Sequence, residues 1–190
     1  PGMVNLHAHT AMTLLRGTAE DARPLDWFNK YIWVYEKNLV PEDVYAGTLL
    51  GAAEMLLSGI TCVADHYFSM EQAFKAYTDI GMRADLAWAM FGVGEGWEAA
   101  RDKALAFTNE YRNRDPLVSV SLGPHSAYLC PDEFLSALVR IGADEGLKLH
   151  IHVSEDAGQV SRSLEERGIT PIEVLDRTGV LRPGTILAHA

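Results

Sequence analysis

The sequence predicts an α/β fold in which βαβ units place parallel strands side by side in one sheet. Short apolar and β-branched runs alternate with longer segments whose apolar residues recur at the helical period. This pattern is typical of strands that are covered by helices. A left-handed C-terminal cap favours glycine, and glycine follows five of the helical segments, at Gly59, Gly81, Gly146, Gly168 and Gly179.

The individual elements follow from these runs in chain order. Six strands are predicted over Met3–Leu6, Ile60–Ala64, Arg83–Met90, Val118–Leu122, Leu149–Val153 and Thr185–Ala188. Between them the amphipathic segments predict helices over Pro41–Leu57, Met70–Ile80, Trp97–Asn113, Pro131–Glu145, Gln159–Arg167 and Pro171–Thr178. Pro41 and Pro131 stand where a first helical turn tolerates a missing N–H group. We expect a further helix over Asp26–Tyr35, within the long connection that precedes Pro41.

The spacing of the strands leaves two architectures open. Met3 and Thr185 lie 182 positions apart over five strand-to-strand steps, or about 36 residues a step, close to the ~30 of one βαβ unit. A closed barrel of eight strands takes about 250 residues, whereas this chain has 190. The residues therefore predict either an open six-stranded sheet or about three-quarters of a barrel.

Composition excludes several classes of protein. The chain is 48% hydrophobic, which is enough for a core and excludes disorder. With 16 basic and 26 acidic residues the formal net charge is -10, so we expect neither nucleic acid nor a membrane as partner. Two cysteines, Cys62 and Cys130, form no disulfide framework, and their expected state as buried free thiols suits the cytoplasm.

The seven histidines all lie in or just after a predicted strand. They are His7, His9, His66, His125, His150, His152 and His189. Because the carboxyl ends of parallel strands meet at one edge, where sites form, this placement indicates a functional site.

The residue patterns suggest different roles for individual histidines. His7 and His9 share one face of a strand, which is metal-ligand geometry. His152 is followed by Glu155, a carboxylate that can shuttle protons without being a ligand. His150 shares a face with His152 and is either a second ligand or a core residue.

Three further histidines complete these expectations. His66 is expected to be structural or to line the pocket. His125, in the rigid turn Gly123-Pro124-His125-Ser126, is expected to contact substrate. For His189, the residue taken alone favours neither a role in the site nor a structural role.

Glu36 is the one other carboxylate with a distinctive neighbourhood. It follows Tyr31, Ile32, Trp33 and Tyr35. This aromatic segment suits a ligand that carries a ring, or else a helix that packs its aromatic residues into the core, and the sequence does not choose between them.

Several motifs together resemble one known group of enzymes. The opening segment 1–9, PGMVNLHAH, resembles the first-strand signature of the amidohydrolase superfamily. Further motifs resemble its methylthioadenosine/S-adenosylhomocysteine deaminase branch, within the cytosine deaminase and chlorotriazine hydrolase (ATZ/TRZ) group. These are Ala11–Gly17, Trp33-x-x-Glu36, Gly123-Pro124-His125-Ser126, His152-x-x-Glu155 and Thr185–His189. The similarity covers essentially the whole chain.

The resemblance implies a (β/α)8 TIM barrel of the metal-dependent hydrolase type with one divalent metal ion, most often zinc, with iron or manganese as alternatives. It implies that His7, His9 and His152 are the metal ligands. Glu155 would pass a proton to a ring nitrogen and His189 would orient the attacking water. Glu36 would hold a ribose-like diol and His125 would contact the substrate.

The implied reaction is hydrolysis of a carbon–nitrogen bond that is not a peptide bond, namely deamination of an amino-substituted purine nucleoside or related N-heterocycle. Three neutral imidazoles leave the metal its charge, which lowers the pKa of bound water. One alternative is a chlorotriazine-type hydrolase that removes chloride or an alkylamine. The others are a catalytically incomplete fragment that only binds metal, and an open α/β binding domain without metal.

Two departures from the family pattern shape the remaining expectations. Residues 1–190 are expected to form a partial barrel of strands 1 to 6, without strands 7 and 8 and without the small β-sandwich domain. The chain opens on Pro1 and would lack the acidic residue of strand 8. We therefore expect a fragment that is inactive alone and active in the complete protein. We also expect it to self-associate through its open sheet edges. Trp88 stands where some family members carry an arginine for a substrate carboxylate, which favours a neutral aromatic substrate.

Overall fold

The computed structural model describes residues 1–22, 26–92 and 96–190. Strands β1 to β6 span Met3–Ala8, Ile60–Tyr67, Arg83–Met90, Val118–Pro124, His150–His152 and Ile186–Ala188. The α-helices α1 to α7 span Trp33–Glu36, Pro41–Leu57, Met70–Ile80, Trp97–Tyr111, Asp132–Glu145, Ala157–Arg167 and Pro171–Thr178. A 3₁₀ helix, Thr10–Leu15, follows β1, and a π-helix, Trp27–Ile32, leads into α1.

The strands are parallel and follow one another in chain order. β1 pairs with β2, β2 with β3 and β3 with β4, and β5 pairs with β6. Parallel bridges from Leu122 to Leu149 and from Ser126 to His152 join β4 to β5. The predicted alternation of strands and helices is therefore confirmed.

Strands β1 to β6 form a curved barrel wall and not an open sheet. Nδ1 of His7, on β1, lies 2.8 Å from Nε2 of His150, on β5. In an open sheet four strand spacings of about 4.8 Å would separate these strands. Of the two predicted architectures, the barrel is confirmed.

The main core lies between the strands and the outer helices. Leu86 and Leu122 point outward from the strands and join one buried cluster with Phe134 and Leu138 of α5. Trp88 belongs to the same layer, since its ring packs on Phe107 of α4 at a centroid distance of 5.4 Å. Trp88 thus faces the helices, and the expected preference for a neutral aromatic substrate stays a prediction.

Helix α2 approaches the 3₁₀ helix through two glycines. A Cβ atom at Gly47 would lie 2.5 Å from the carbonyl oxygen of Ala11, and one at Gly51 would lie 2.6 Å from Cγ2 of Thr10. Only glycine fits at these positions, and the close contact fixes the segment that follows His9.

Both cysteines are free, and Cys130 is buried as expected, whereas Cys62 is half-buried because it lies near the start of β2. Among the described residues, no helix has both the length and the apolar character needed to cross a membrane.

Candidate metal centre and active site

Three histidines form a compact cluster at the carboxyl ends of β1 and β5. His7, His9 and His152 each offer one ring nitrogen, and these nitrogens lie within 4.8 Å of one another. The His-x-His spacing puts His7 and His9 on the inner face of β1, and the curvature of the wall brings His152 to them. This is the set that the family resemblance implies as metal ligands.

Hydrogen bonds to the backbone set the orientation of two of these rings. Nδ1 of His9 donates to the carbonyl oxygen of His66 at 2.5 Å, and Nδ1 of His152 donates to that of His125 at 2.6 Å. A carbonyl oxygen can only accept, so in each neutral ring the proton is on Nδ1 and the lone pair is on Nε2. The two Nε2 atoms lie 3.1 Å apart.

The environment favours the neutral form of His7 and of His152. Burial, and then the neighbouring histidines, lower the pKa of His7 to about 2. Burial also lowers the pKa of His152 to about 4, assisted by His9. Two neutral rings with facing lone pairs repel each other, whereas a cation between them would satisfy both. The donor set therefore fits a divalent metal ion.

Glu155 follows His152 by three residues, and hydrogen bonds of its side chain and of its backbone hold it in place. The hydroxyl of Tyr128 donates to its Oε1 at 2.6 Å, and its backbone N–H donates to Oε1 of Gln159 at 2.9 Å. One carboxylate oxygen is thus engaged by Tyr128, which leaves Oε2 for another partner.

Glu36 lines a cavity of about 430 Å³ together with Trp33, Tyr67, Phe68 and Phe91. Tyr67 donates a hydrogen bond of 2.8 Å to Oε1 of Glu36. Burial raises the pKa of Glu36, against the lowering effects of Tyr67 and His9.

The aromatic residues before Glu36 are not core residues. Tyr31, Trp33 and Tyr35 are 41%, 40% and 49% exposed, and only Ile32 is buried. Of the two interpretations of this segment, packing of its aromatic residues into the core is wrong.

The remaining histidines surround the cluster. The half-buried ring of His125 stacks on Phe91 at 4.5 Å and on His152 at 4.7 Å, which links the Glu36 cavity to the cluster. The exposed ring of His189 lies 5.0 Å from that of His7. His66 is buried, and its Nε2 lies 3.2 Å from the carbonyl oxygen of Gly123.

Sequence reasoning missed three residues that support the site. Tyr67 and Tyr128 contact the two carboxylates described above. Asp65, on the outer face of β2, is 1% exposed and accepts hydrogen bonds from the Thr10 N–H at 3.0 Å and the Tyr77 hydroxyl at 2.8 Å. It thereby anchors the chain directly after His9. An aspartate inside an apolar strand is the one sequence signal that could have identified it.

A parallel barrel wall that gathers imidazoles at the carboxyl ends of its strands defines a metal-binding α/β barrel. The chain belongs to the amidohydrolase family, whose sequence profile matches residues 1–190.

Curated relatives are longer than this chain. It is 43% identical over 190 residues to the 5-methylthioadenosine/S-adenosylhomocysteine deaminase of Pelotomaculum thermopropionicum. The matched region covers 100% of this chain and 44% of that protein. It is 40% identical over 198 residues to the 5'-deoxyadenosine deaminase of Methanothermobacter thermautotrophicus, covering 100% and 45% of the two chains. The chain therefore spans less than half of the length of these relatives.

Solved structures agree with the fold. An adenosine deaminase from Xanthomonas campestris with bound zinc superimposes with a TM-score of 0.91 at 32% identity, over 100% of this chain and 44% of that one. The atrazine chlorohydrolase of Arthrobacter aurescens superimposes with a TM-score of 0.86 at 23% identity, over 100% and 48%. At that identity the second likeness supports the fold alone.

Proposed function

We propose that the full-length protein containing this chain is a metal-dependent aminohydrolase that deaminates an adenosine-type nucleoside. The observation that carries the proposal is the pair of Nε2 lone pairs of His9 and His152, 3.1 Å apart, together with Glu155, which follows His152 by three residues. Relatives named as deaminases of 5-methylthioadenosine, S-adenosylhomocysteine and 5'-deoxyadenosine support the substrate class.

His7, His9 and His152 would hold the metal, with zinc favoured by the zinc-bound adenosine deaminase. A bound divalent metal supplies the nucleophile by lowering the pKa of water toward neutrality. All three residues act as neutral donors, so the metal keeps its charge.

Glu155 would move protons between the attacking water and the purine. Attack at the amino-bearing carbon places electron density on the adjacent ring nitrogen, which takes a proton from Glu155. The second proton of the added water passes to the amino group, which leaves as ammonia, and a carbonyl group remains on the ring. His189, whose ring faces His7, would orient the water.

Glu36 and His125 would bind the substrate. The ionised carboxylate of Glu36 can accept hydrogen bonds from two ribose hydroxyls, and Tyr67 fixes its position. The ring of His125 lies between the cavity and the metal cluster, where it would contact the substrate.

Ammonia release by the zinc-loaded full-length protein tests the proposal. Adenosine, 5-methylthioadenosine and 5'-deoxyadenosine are the substrates, and Glu155→Gln is the control variant that removes the proton carrier without removing a metal ligand. We expect release with at least one nucleoside and its loss in the variant. Absence of release from all three by a protein that holds zinc would refute the proposal, and chloride release from a chlorotriazine would support the alternative.

We propose that the 190-residue chain self-associates and that the protein has a cytoplasmic location. The exposed apolar side chains of Val4 and Leu6, 57% and 66% exposed on β1, support self-association. The free cysteines Cys62 and Cys130 support a reducing compartment. Light scattering of the 190-residue chain tests the first property, and cell fractionation tests the second.

A further inference from the structure

His150 is a buried residue for which the proposed reaction has no use. It lies on β5 at 0% exposure, and its Nε2 is 2.8 Å from Nδ1 of His7. The two rings meet edge to face, with centroids 5.0 Å apart and planes at 81°. This is a directed hydrogen bond between two imidazoles.

The hydrogen bond to His150 orients the ring of His7, as hydrogen bonds to backbone carbonyl oxygens orient the rings of His9 and His152. His9 and His152 each donate Nδ1–H to a carbonyl oxygen, which fixes their lone pairs on Nε2. For Nδ1 of His7 the described residues offer the ring of His150 instead. A ring that binds metal through one nitrogen usually donates a hydrogen bond through the other, and this bond sets its tautomer.

The tautomers of the two rings are coupled. A neutral His7 that uses Nε2 for the metal carries its proton on Nδ1 and donates it to Nε2 of His150. His150 then carries its own proton on Nδ1, an atom that is buried without a hydrogen-bond partner among the described residues. The opposite arrangement would put a proton on Nε2 of His7 and block the metal.

We propose that His150 is a positioning residue that holds His7 in the Nδ1–H tautomer and so directs the Nε2 lone pair of His7 to the metal. This inference rests on the proposed metal site. His150 is not a ligand in this arrangement, because its Nε2 is engaged by His7 and because the mutually close set of ligand nitrogens contains His7, His9 and His152.

Two variants of similar size separate the hydrogen bond from the packing. His150→Gln keeps a hydrogen-bonding group near the position of Nε2, whereas His150→Leu fills the space without one. Zinc affinity of the full-length protein is measured by competition with a chelator, after the unfolding transition has shown that each variant is folded. We expect His150→Leu to lower zinc affinity about 10- to 100-fold, as loss of such partners does, and His150→Gln to restore most of it.

Equal affinity in His150→Leu and the unchanged protein would overturn the inference while leaving the proposed function in place. So would an equal loss in both variants, since the effect would then be one of packing. A full-length protein without zinc affinity would instead refute the proposed function and this inference together.

Nitrogen-15 NMR of the metal-free, unchanged protein provides a readout that needs neither activity nor a variant. Imidazole nitrogens with and without a proton resonate far apart, so the tautomer of each ring can be assigned. We expect the proton on Nδ1 in both His7 and His150. A proton on Nε2 of His7 would overturn the inference.

Discussion

The hydroxyl of Tyr128 donates a 2.6 Å hydrogen bond to Oε1 of Glu155. Tyr128 follows β4 and Glu155 follows β5, so the bond joins the ends of two neighbouring strands. Burial, and then Glu155, raise the pKa of Tyr128, so the phenol keeps its proton and remains a donor. The bond therefore fixes one oxygen of the proposed proton carrier.

Tyr128→Phe should lower kcat while zinc content stays unchanged. A hydrogen bond to a charged group contributes about 1.5–3 kcal/mol, so its loss at the reacting carboxylate corresponds to a roughly 10- to 100-fold decrease. Steady-state kinetics and zinc analysis measure the two quantities. Tyr45→Phe is the matched control, because it removes an exposed bond of Tyr45 to Asp79 at 2.9 Å, and it should leave kcat unchanged.

Substrate binding should weaken in acid through Glu36. Burial raises the pKa of Glu36, so its carboxylate takes up a proton at a higher pH than an exposed glutamate and then accepts fewer hydrogen bonds from a diol. KM should therefore rise as the pH falls, and Glu36→Gln should have a high KM without this dependence. The expected increase in the variant is roughly 10- to 100-fold, and the same KM in both proteins would contradict the role of Glu36.

Much of the framework could be predicted from the sequence. The bounds of Pro41–Leu57, Met70–Ile80 and Pro171–Thr178 are confirmed to the residue, because a proline or a glycine marks their ends. β2 runs to Tyr67 and not to Ala64, since the polar residues Asp65 and His66 mask the strand pattern. They are polar because this end of the strand supports the site.

The partners of the site residues were beyond prediction from the sequence. The period of two places His7 and His9 on one face, but no spacing shows that His150 meets His7 across the barrel. The bonds of Tyr67 to Glu36 and of Tyr128 to Glu155 likewise span 31 and 27 positions. Such contacts depend on curvature of the wall, which a local pattern does not encode.

The metal-free protein should lose stability in mild acid. Burial, and then neighbouring histidines, lower the pKa of His125 and of His150 to about 3, whereas both titrate near 6.5 in the unfolded chain. Between these values the unfolded state binds more protons, so the free energy of unfolding falls as the pH decreases from 6.5, by up to about 1.4 kcal/mol per pH unit for each histidine. Above pH 6.5 the free energy of unfolding should not depend on pH through His125 and His150.

Urea denaturation of the metal-free full-length protein across this window measures the slope. His150→Gln should reduce the slope of the free energy of unfolding against pH by the contribution of one histidine. A free energy of unfolding that stays constant below pH 6.5 would contradict the expected burial of neutral rings.

Gly47→Ala should destabilise the protein although alanine is the better helix former. The new Cβ would lie 2.5 Å from the carbonyl oxygen of Ala11, and overpacking of this kind costs roughly 1–3 kcal/mol. Displacement of the 3₁₀ helix should also weaken zinc binding, since Thr10 adjoins His9. Ala46→Ser, at an exposed position of the same helix, should lower the free energy of unfolding by only about 0.5 kcal/mol through helix propensity and should leave zinc affinity unchanged.

His152 and His125 should differ in their effect on the metal although their rings stack at 4.7 Å. His152→Ala removes a proposed ligand, so the purified variant should retain no zinc. His125→Ala removes only a ring, because the group that orients His152 is the backbone carbonyl of residue 125, and it should keep zinc while KM rises. Zinc analysis of both variants, followed by kinetics of the second, distinguishes the roles. Zinc retained by His152→Ala would exclude His152 as a required ligand. Zinc lost by His125→Ala would indicate that His125 binds the metal and is not a substrate contact.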